Sequence, residues 1–172
     1  MTGRALSLPS MKSLATAYPQ EMYPEAVKKI IGGHVNASWI FDTCAIRMSR
    51  ALNYSNFPIP GPGHSPMKVV SGADKKWYAL NHAQLREWIH QVAGPPQIHQ
   101  KRPNVDRGAL NTLMGIIALD IHYAPRPGEH LAPTGHIDLW HGQFIGEISQ
   151  AGTEDEVFGV ATDVQLWTLP AG

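Results

Sequence analysis

The chain of 172 residues contains a single cysteine, Cys44. A lone cysteine excludes an internal disulfide, and it also excludes a zinc site built from several thiolates. Two roles remain for the thiol. It is either an inert small hydrophobe in the core or a reactive group whose surroundings control its ionisation.

An excess of charge of either sign is also lacking. The 14 lysine and arginine residues balance the 14 aspartate and glutamate residues, which gives a formal net charge of +0. Without a positive surplus, the composition favours neither nucleic acid nor an anionic membrane as a partner. The hydrophobic fraction of 43% is typical of a compact globular protein, and we expect a single domain over residues 1–172.

Long hydrophobic runs are missing too. Residues 1–20 contain no unbroken apolar stretch of the length that a signal peptide needs, and no stretch of the sequence approaches a membrane span. We therefore expect a protein that is made in the cytoplasm without a cleavable leader. If it leaves the cell, a machine that does not read such a leader must carry it.

Turn and cap residues divide the chain into helices first and strands later. Helices are predicted over residues 10–18 and 24–31, from Cys44 onward, and between Asn81 and Gly94. Strands are predicted over residues 115–122, 135–140 and 164–169. This order predicts an α+β fold, with N-terminal helices packed on a C-terminal antiparallel β-sheet in which the strands follow one another as a meander.

Cys44 lies at the predicted start of an amphipathic helix. Asp42 or Thr43 is expected to cap the helix by accepting a hydrogen bond from a first-turn amide. Unpaired amides and the positive end of the helix dipole favour a thiolate. Such a position lowers a cysteine pKa from about 8.5 into a range of roughly 3.5 to 7.5. The position therefore favours a reactive thiol, with the inert buried thiol as the alternative.

The helix that follows has two faces. Its predicted apolar face consists of Ala45, Met48 and Leu52, and its predicted wetter face carries Arg47 and Arg50.

A thiol nucleophile needs a base, and histidine is the usual one because its pKa lies near neutrality. His136 is the best of the nine histidines, because it begins a predicted strand on which Asp138 projects to the same side. The alternative is an edge strand with a polar outer face. The remaining histidines are placed in loops (His34, His64, His99 and His130), on the wet side of a helix (His82 and His90) and at a strand end (His122).

A third group should hold the imidazole in its productive orientation. Asp138 and Glu147, which follows the turn at residues 141–142, are both candidates, and the spacing does not choose between them. The oxyanion formed during attack would be met by the backbone amide of Cys44 and by a second, unidentified donor.

Several blocks of sequence resemble one protein family in their order along the chain. They are IIGG (30–33), CAIRMS (44–49) with Asn53, FPI (57–59), VSGADK (70–75), GII (115–117), GHIDLWHG (135–142) and LWTLP (166–170). The family is that of the type VI secretion amidase effectors of family four. These proteins are papain-like (NlpC-type) cysteine hydrolases that degrade bacterial peptidoglycan.

The resemblance implies a mechanism, a substrate and partners. Cys44 becomes the nucleophile, His136 the general base and Glu147 the third catalytic residue, although the family more often has aspartate there. The implied reaction is cleavage of the amide between γ-D-glutamate and meso-diaminopimelate in the peptide stem, without a cofactor or metal. The implied partners are the type VI secretion machinery and an immunity protein, and the implied place of action is the periplasm of the target bacterium. The loop over residues 124–134 is long and proline-rich for the family.

Two other functions compete with this one. A zinc-dependent hydrolase would use His136, Asp138 and His141, although a continuing strand points the last two to opposite sides. A non-enzymatic interaction module would simply bury Cys44.

Overall fold

A computed structural model describes residues 4–21, 23–122, 134–146 and 153–172. Its α-helices are α1 (Met11–Ala17), α2 (Pro24–Ile31), α3 (Cys44–Asn53), α4 (His82–Ala93) and α5 (Glu154–Val160). Its strands are β1 (Val69–Ser71), β2 (Trp77–Ala79), β3 (Ile98–Lys101), β4 (Gly115–Ile121), β5 (Gly135–Trp140) and β6 (Ala161–Thr168). Within the described ranges, no helix is both long and apolar enough to cross a bilayer.

The helices begin and end where local chemistry directs them. The Ser10 side chain accepts from the Ser13 amide at the start of α1, and the Asn81 side chain accepts from the Gln84 amide at the start of α4. Helix α2 opens with proline, and α4 ends at Gly94, where φ is +90°. These three helices confirm the sequence prediction. Their ends could be predicted because the residues that set them act locally.

The main sheet is antiparallel, with the strand order β3-β6-β4-β5. The predicted meander is therefore wrong, since the last strand of the chain inserts between β3 and β4. Strands β1 and β2 form a separate antiparallel hairpin. The short strands β1, β2 and β3 were not predicted, because three or four residues are too few to show a period. Strand β5 stands at one end of the strand order, and α3 packs against it.

Apolar clusters cover both faces of this sheet. Ile116 and Ile137 pack on one face with residues of the helices α1, α3 and α4. Ile117 and Leu166 pack on the other face, against Phe158 of α5. The sheet is thus a middle layer, and the edge of β5 lies beside the start of α3.

The predicted wetter face of helix α3 is wrong at Arg47, which is buried. Its side chain is only 2% exposed, although the sequence placed it on the wetter face. The guanidinium donates to the carbonyls of Pro19 and Glu21 at 3.4 and 2.6 Å and to Thr43 Oγ1 at 3.3 Å. A buried arginine therefore joins the segment after α1 to the helix that carries Cys44.

Replacing this arginine should destabilise the fold. Arg47→Met leaves two carbonyls without their charged donor, and we expect a loss of about 2–4 kcal/mol in the free energy of unfolding. The measurement is urea denaturation followed by circular dichroism. The matched control is Arg50→Met on the same helix. The Arg50 guanidinium lies 4.8 Å from the Tyr54 ring centroid, and its loss should lower the free energy of unfolding by less than about 1 kcal/mol. Equal losses in the two variants would contradict this account of Arg47.

Candidate active site

Cys44 is the first residue of α3, and its side chain is buried at the edge of strand β5. The cysteine is 5% exposed, and its sulfur accepts a hydrogen bond from the backbone amide of Ile137. Ile137 stands between His136 and Asp138 in the strand. The sulfur therefore lies beside the stretch of backbone that carries the two polar residues chosen from the sequence.

The helix start is capped by the residue before the N-cap position. Thr43 occupies the N-cap but makes no capping hydrogen bond with its side chain. Instead, Asp42 Oδ1 accepts from the amide nitrogen of Cys44 at 2.9 Å. The Cys44 amide, which was predicted to donate to the oxyanion, therefore donates to a carboxylate in this structure.

The thiol is held in its neutral form. Burial raises the pKa of Cys44 well above its ordinary value, and the neighbouring Asp42 carboxylate raises it further. The Ile137 amide acts in the opposite direction, because it stabilises the thiolate. The expectation of a lowered thiol pKa is thus wrong for this state, since desolvation and a nearby negative charge outweigh the helix end.

His136 and Asp138 form a buried pair. The ring nitrogen Nε2 of His136 lies 2.8 Å from Asp138 Oδ2, and the two side chains are 5% and 0% exposed. The Phe144 ring meets the imidazole edge to face, with centroids 5.2 Å apart. The alternative of a solvated polar face is wrong, because both residues are enclosed.

The Asp138 carboxylate is anchored by backbone amides as well. Oδ1 accepts from Leu139 N at 2.7 Å, and the two oxygens accept from Gly146 N at 2.8 and 3.0 Å. These donors compensate for removing the carboxylate from water. Glu147, the other candidate for the third residue, lies outside the described residues, as does the loop predicted over residues 124–134 apart from Thr134.

A second buried histidine was missed by the sequence analysis. His82 was placed on the wet side of its helix, yet it is 6% exposed. Its ring and the Leu119 carbonyl lie so close to Gly135 that a Cβ would not fit there. Burial lowers the pKa of His82, against the raising effects of Asp42 and Asp120, and the smaller effects of Arg86 and His136 lower it too. The glycine directly before His136 was the signal for this close approach.

The other histidines do not gather at the site. His90 and His141 are exposed, as are His34, His64, His99 and His122, whereas His130 lies outside the described residues. His99 belongs to β3 rather than to a loop, and its Nε2 lies 2.7 Å from Asp163 Oδ2. In the part of the chain that the structure describes, no three histidine, cysteine, aspartate or glutamate side chains converge as metal ligands would.

The Asp42 carboxylate offers a test of what keeps the thiol neutral. Asp42→Asn removes the negative charge but keeps an oxygen that accepts from the Cys44 amide, so the thiol pKa should fall. The measurement is the pH dependence of alkylation by iodoacetamide, which reports on Cys44 alone because the chain has no other cysteine. An alkylation profile that stays unchanged or moves to higher pH would rule out this role for Asp42.

A family-level comparison covers the part of the chain that holds this site. A sequence model described as "Type VI secretion system (T6SS), amidase effector protein 4" matches residues 41–167, a stretch that includes both Cys44 and His136. No curated protein sequence matches the chain at a significant level.

Solved structures of such effectors resemble the chain over nearly its whole length. The effector Tae4 from Salmonella typhimurium, in complex with the immunity Tai4 from Enterobacter cloacae, is 28% identical, with a TM-score of 0.76 over 94% of this chain and 99% of that one. The Tae4/Tai4 effector and immunity system from Salmonella typhimurium is 27% identical, with a TM-score of 0.79 over 95% and 100%. The type VI effector Tae4 from Enterobacter cloacae is 25% identical, with a TM-score of 0.78 over 96% and 99%.

These likenesses confirm the predicted α+β, papain-like (NlpC-type) fold class. Because the family model spans most of the chain, the chain belongs to the type VI secretion system amidase effector protein 4 family.

Proposed function

We propose that this amidase effector hydrolyses the amide between γ-D-glutamate and meso-diaminopimelate in peptidoglycan stems by a thiol mechanism. Cys44 is the nucleophile and His136 the general base. The observation that carries the proposal is the contact of the Cys44 sulfur with strand β5, beside the buried His136–Asp138 pair. A thiol, an imidazole and a carboxylate are the side chains that covalent amide hydrolysis by a thiol requires.

In this proposal, each nitrogen of the imidazole has a task of its own. Asp138 occupies Nε2, so Nδ1 is the nitrogen left to accept the thiol proton. Because the thiol is neutral at rest, its proton moves to His136 as the sulfur attacks the amide carbon. Asp138 stabilises the resulting imidazolium, which then protonates the leaving amine. Water hydrolyses the thioester that remains and restores the thiol.

Asp42 controls the oxyanion donor in this mechanism. The Cys44 amide can bind the developing oxyanion only after the Asp42 carboxylate has turned away from it. Asp42 is exposed, and its rotation would break its hydrogen bonds to the amide and to the thiol of Cys44. Substrate binding and release of the helix cap are therefore coupled steps.

Delivery and inhibition follow from the family. We propose that residues 1–172 act as one amidase domain that type VI secretion machinery carries out of the producing cell. The domain would act in the periplasm of the target bacterium. Because solved relatives are complexes of an effector with an immunity protein, we propose a cognate immunity protein as partner. The mechanism requires no cofactor or metal.

The thiol mechanism predicts a null variant. Purified protein should release truncated stem peptides from Gram-negative peptidoglycan, and Cys44→Ala should lower that rate by at least about a thousandfold. Chromatography with mass spectrometry of the released fragments measures both the rate and the bond. Circular dichroism controls for the fold, and added EDTA controls for a zinc enzyme. Full activity of Cys44→Ala would end the thiol mechanism, and loss of activity in EDTA would favour the zinc alternative.

The group that orients His136 can be identified by a pair of variants. We expect Asp138→Asn to lower kcat by about 10² to 10⁴, because the amide still fits the site but no longer stabilises the imidazolium. Glu147→Gln should change kcat by less than about threefold if Asp138 is the partner. The opposite result would give the role to Glu147, the residue that the family resemblance favours. Thermal unfolding of both variants separates a loss of mechanism from a loss of fold.

A further inference from the structure

Tyr18 is a buried tyrosine that the proposed reaction does not yet use. It follows helix α1 directly, and its side chain is 2% exposed. Among the described residues its hydroxyl has no hydrogen-bond partner in good geometry, and the Asp138 carboxylate is the acceptor within its reach. A buried polar group without a partner costs free energy, so its presence in a well-packed core calls for an explanation.

The hydroxyl lies at the Asp138 carboxylate. A Cβ built on Gly146 would collide with the Tyr18 oxygen and would lie 2.9 and 3.0 Å from the two oxygens of Asp138. The phenol and the carboxylate therefore meet on one side of Gly146, where only a glycine fits. Burial raises the pKa of Tyr18 well above its ordinary value, and the charge of Asp138 raises it further, so the phenol remains a neutral donor.

The backbone fixes Tyr18 in this place independently of the reaction. Its amide donates to the Leu14 carbonyl at 2.9 Å, and its own carbonyl accepts from Gln20 Nε2 at 3.1 Å. The Arg47 guanidinium donates to the carbonyl of the next residue, Pro19, at 3.4 Å. Helix α1 and helix α3 together therefore present the phenol to the carboxylate.

We propose that Tyr18 is a positioning residue for the Asp138 carboxylate. Its O–H donates to Asp138 when the carboxylate adjusts to the imidazolium that forms at His136. Amides of Leu139 and Gly146 already hold the carboxylate, and the phenol of Tyr18, the residue after α1, adds a side-chain donor. This inference rests on the proposed function, because it assigns Tyr18 a part in the same proton transfer.

A buried phenol that does not contact substrate should affect turnover and not binding. Removing one hydrogen bond to a charged group that forms in the reaction corresponds to about a 10- to 100-fold change in kcat. Tyr18→Phe keeps the packed ring and removes only the oxygen, so kcat should fall by about 10- to 100-fold while KM stays within about twofold.

Tyr78→Phe is the matched control. Tyr78 is a fully buried tyrosine whose hydroxyl donates to Asp74 Oδ2 at 2.6 Å, on a different part of the molecule. The same atom is removed, so a general loss of stability should appear in this variant without a change in kcat. Thermal unfolding of both variants measures the purely structural effect.

A second readout does not require turnover. In a Cys44→Ala background, proton NMR can follow the His136 Nε2 proton that faces Asp138. The chemical shift of this proton should change in Tyr18→Phe and stay the same in Tyr78→Phe. A Tyr18→Phe protein with wild-type kcat and an unmoved resonance would overturn the proposal for Tyr18. If the wild-type protein does not cleave peptidoglycan, the proposed function fails instead, and the resonance still reports whether Tyr18 acts on the pair.

Discussion

The site depends on one carboxylate that is closed off from water. Asp138 accepts hydrogen bonds from its own strand, through Leu139, and from Gly146 after the following turn, and it also binds the imidazole of His136. An ionised group in that position is tolerated only while these donors stay in place. The same contacts therefore hold the chain after β5 at Gly146 and orient the His136 ring through its Nε2.

Two opposing influences act on the ionisation of Cys44, the proposed nucleophile. The start of helix α3 and the Ile137 amide favour a thiolate, whereas burial and Asp42 favour the thiol, and the thiol prevails in this structure. A neutral cysteine reacts slowly with oxidants and alkylating agents. Under the proposed mechanism, Cys44 would stay protected until a substrate displaces Asp42 and brings the amide carbon to the sulfur. Low resting reactivity and thiol catalysis are therefore compatible here.

Local signals explain which parts of the fold the sequence could predict. Ser10, Pro24, Asn81 and Gly94 act within one turn of helix, so the ends of α1, α2 and α4 were predictable. The His136 and Asp138 pair was predictable for the same reason, since both residues belong to one strand. The insertion of β6 between β3 and β4 depends on contacts between distant segments. The burial of Arg47, His82 and the Cys44 thiol depends on such contacts too, and the patterns within their own helices do not show it.

A covalent intermediate on the sulfur is the central claim of this account. The direct measurement is mass spectrometry of the intact protein, quenched with acid during turnover of a purified muropeptide and then mapped by peptide digestion. The account predicts an acyl adduct on Cys44 that contains the stem as far as D-glutamate and lacks diaminopimelate. An adduct on another residue, a fragment that still carries diaminopimelate, or an unmodified Cys44 throughout rapid turnover would contradict it.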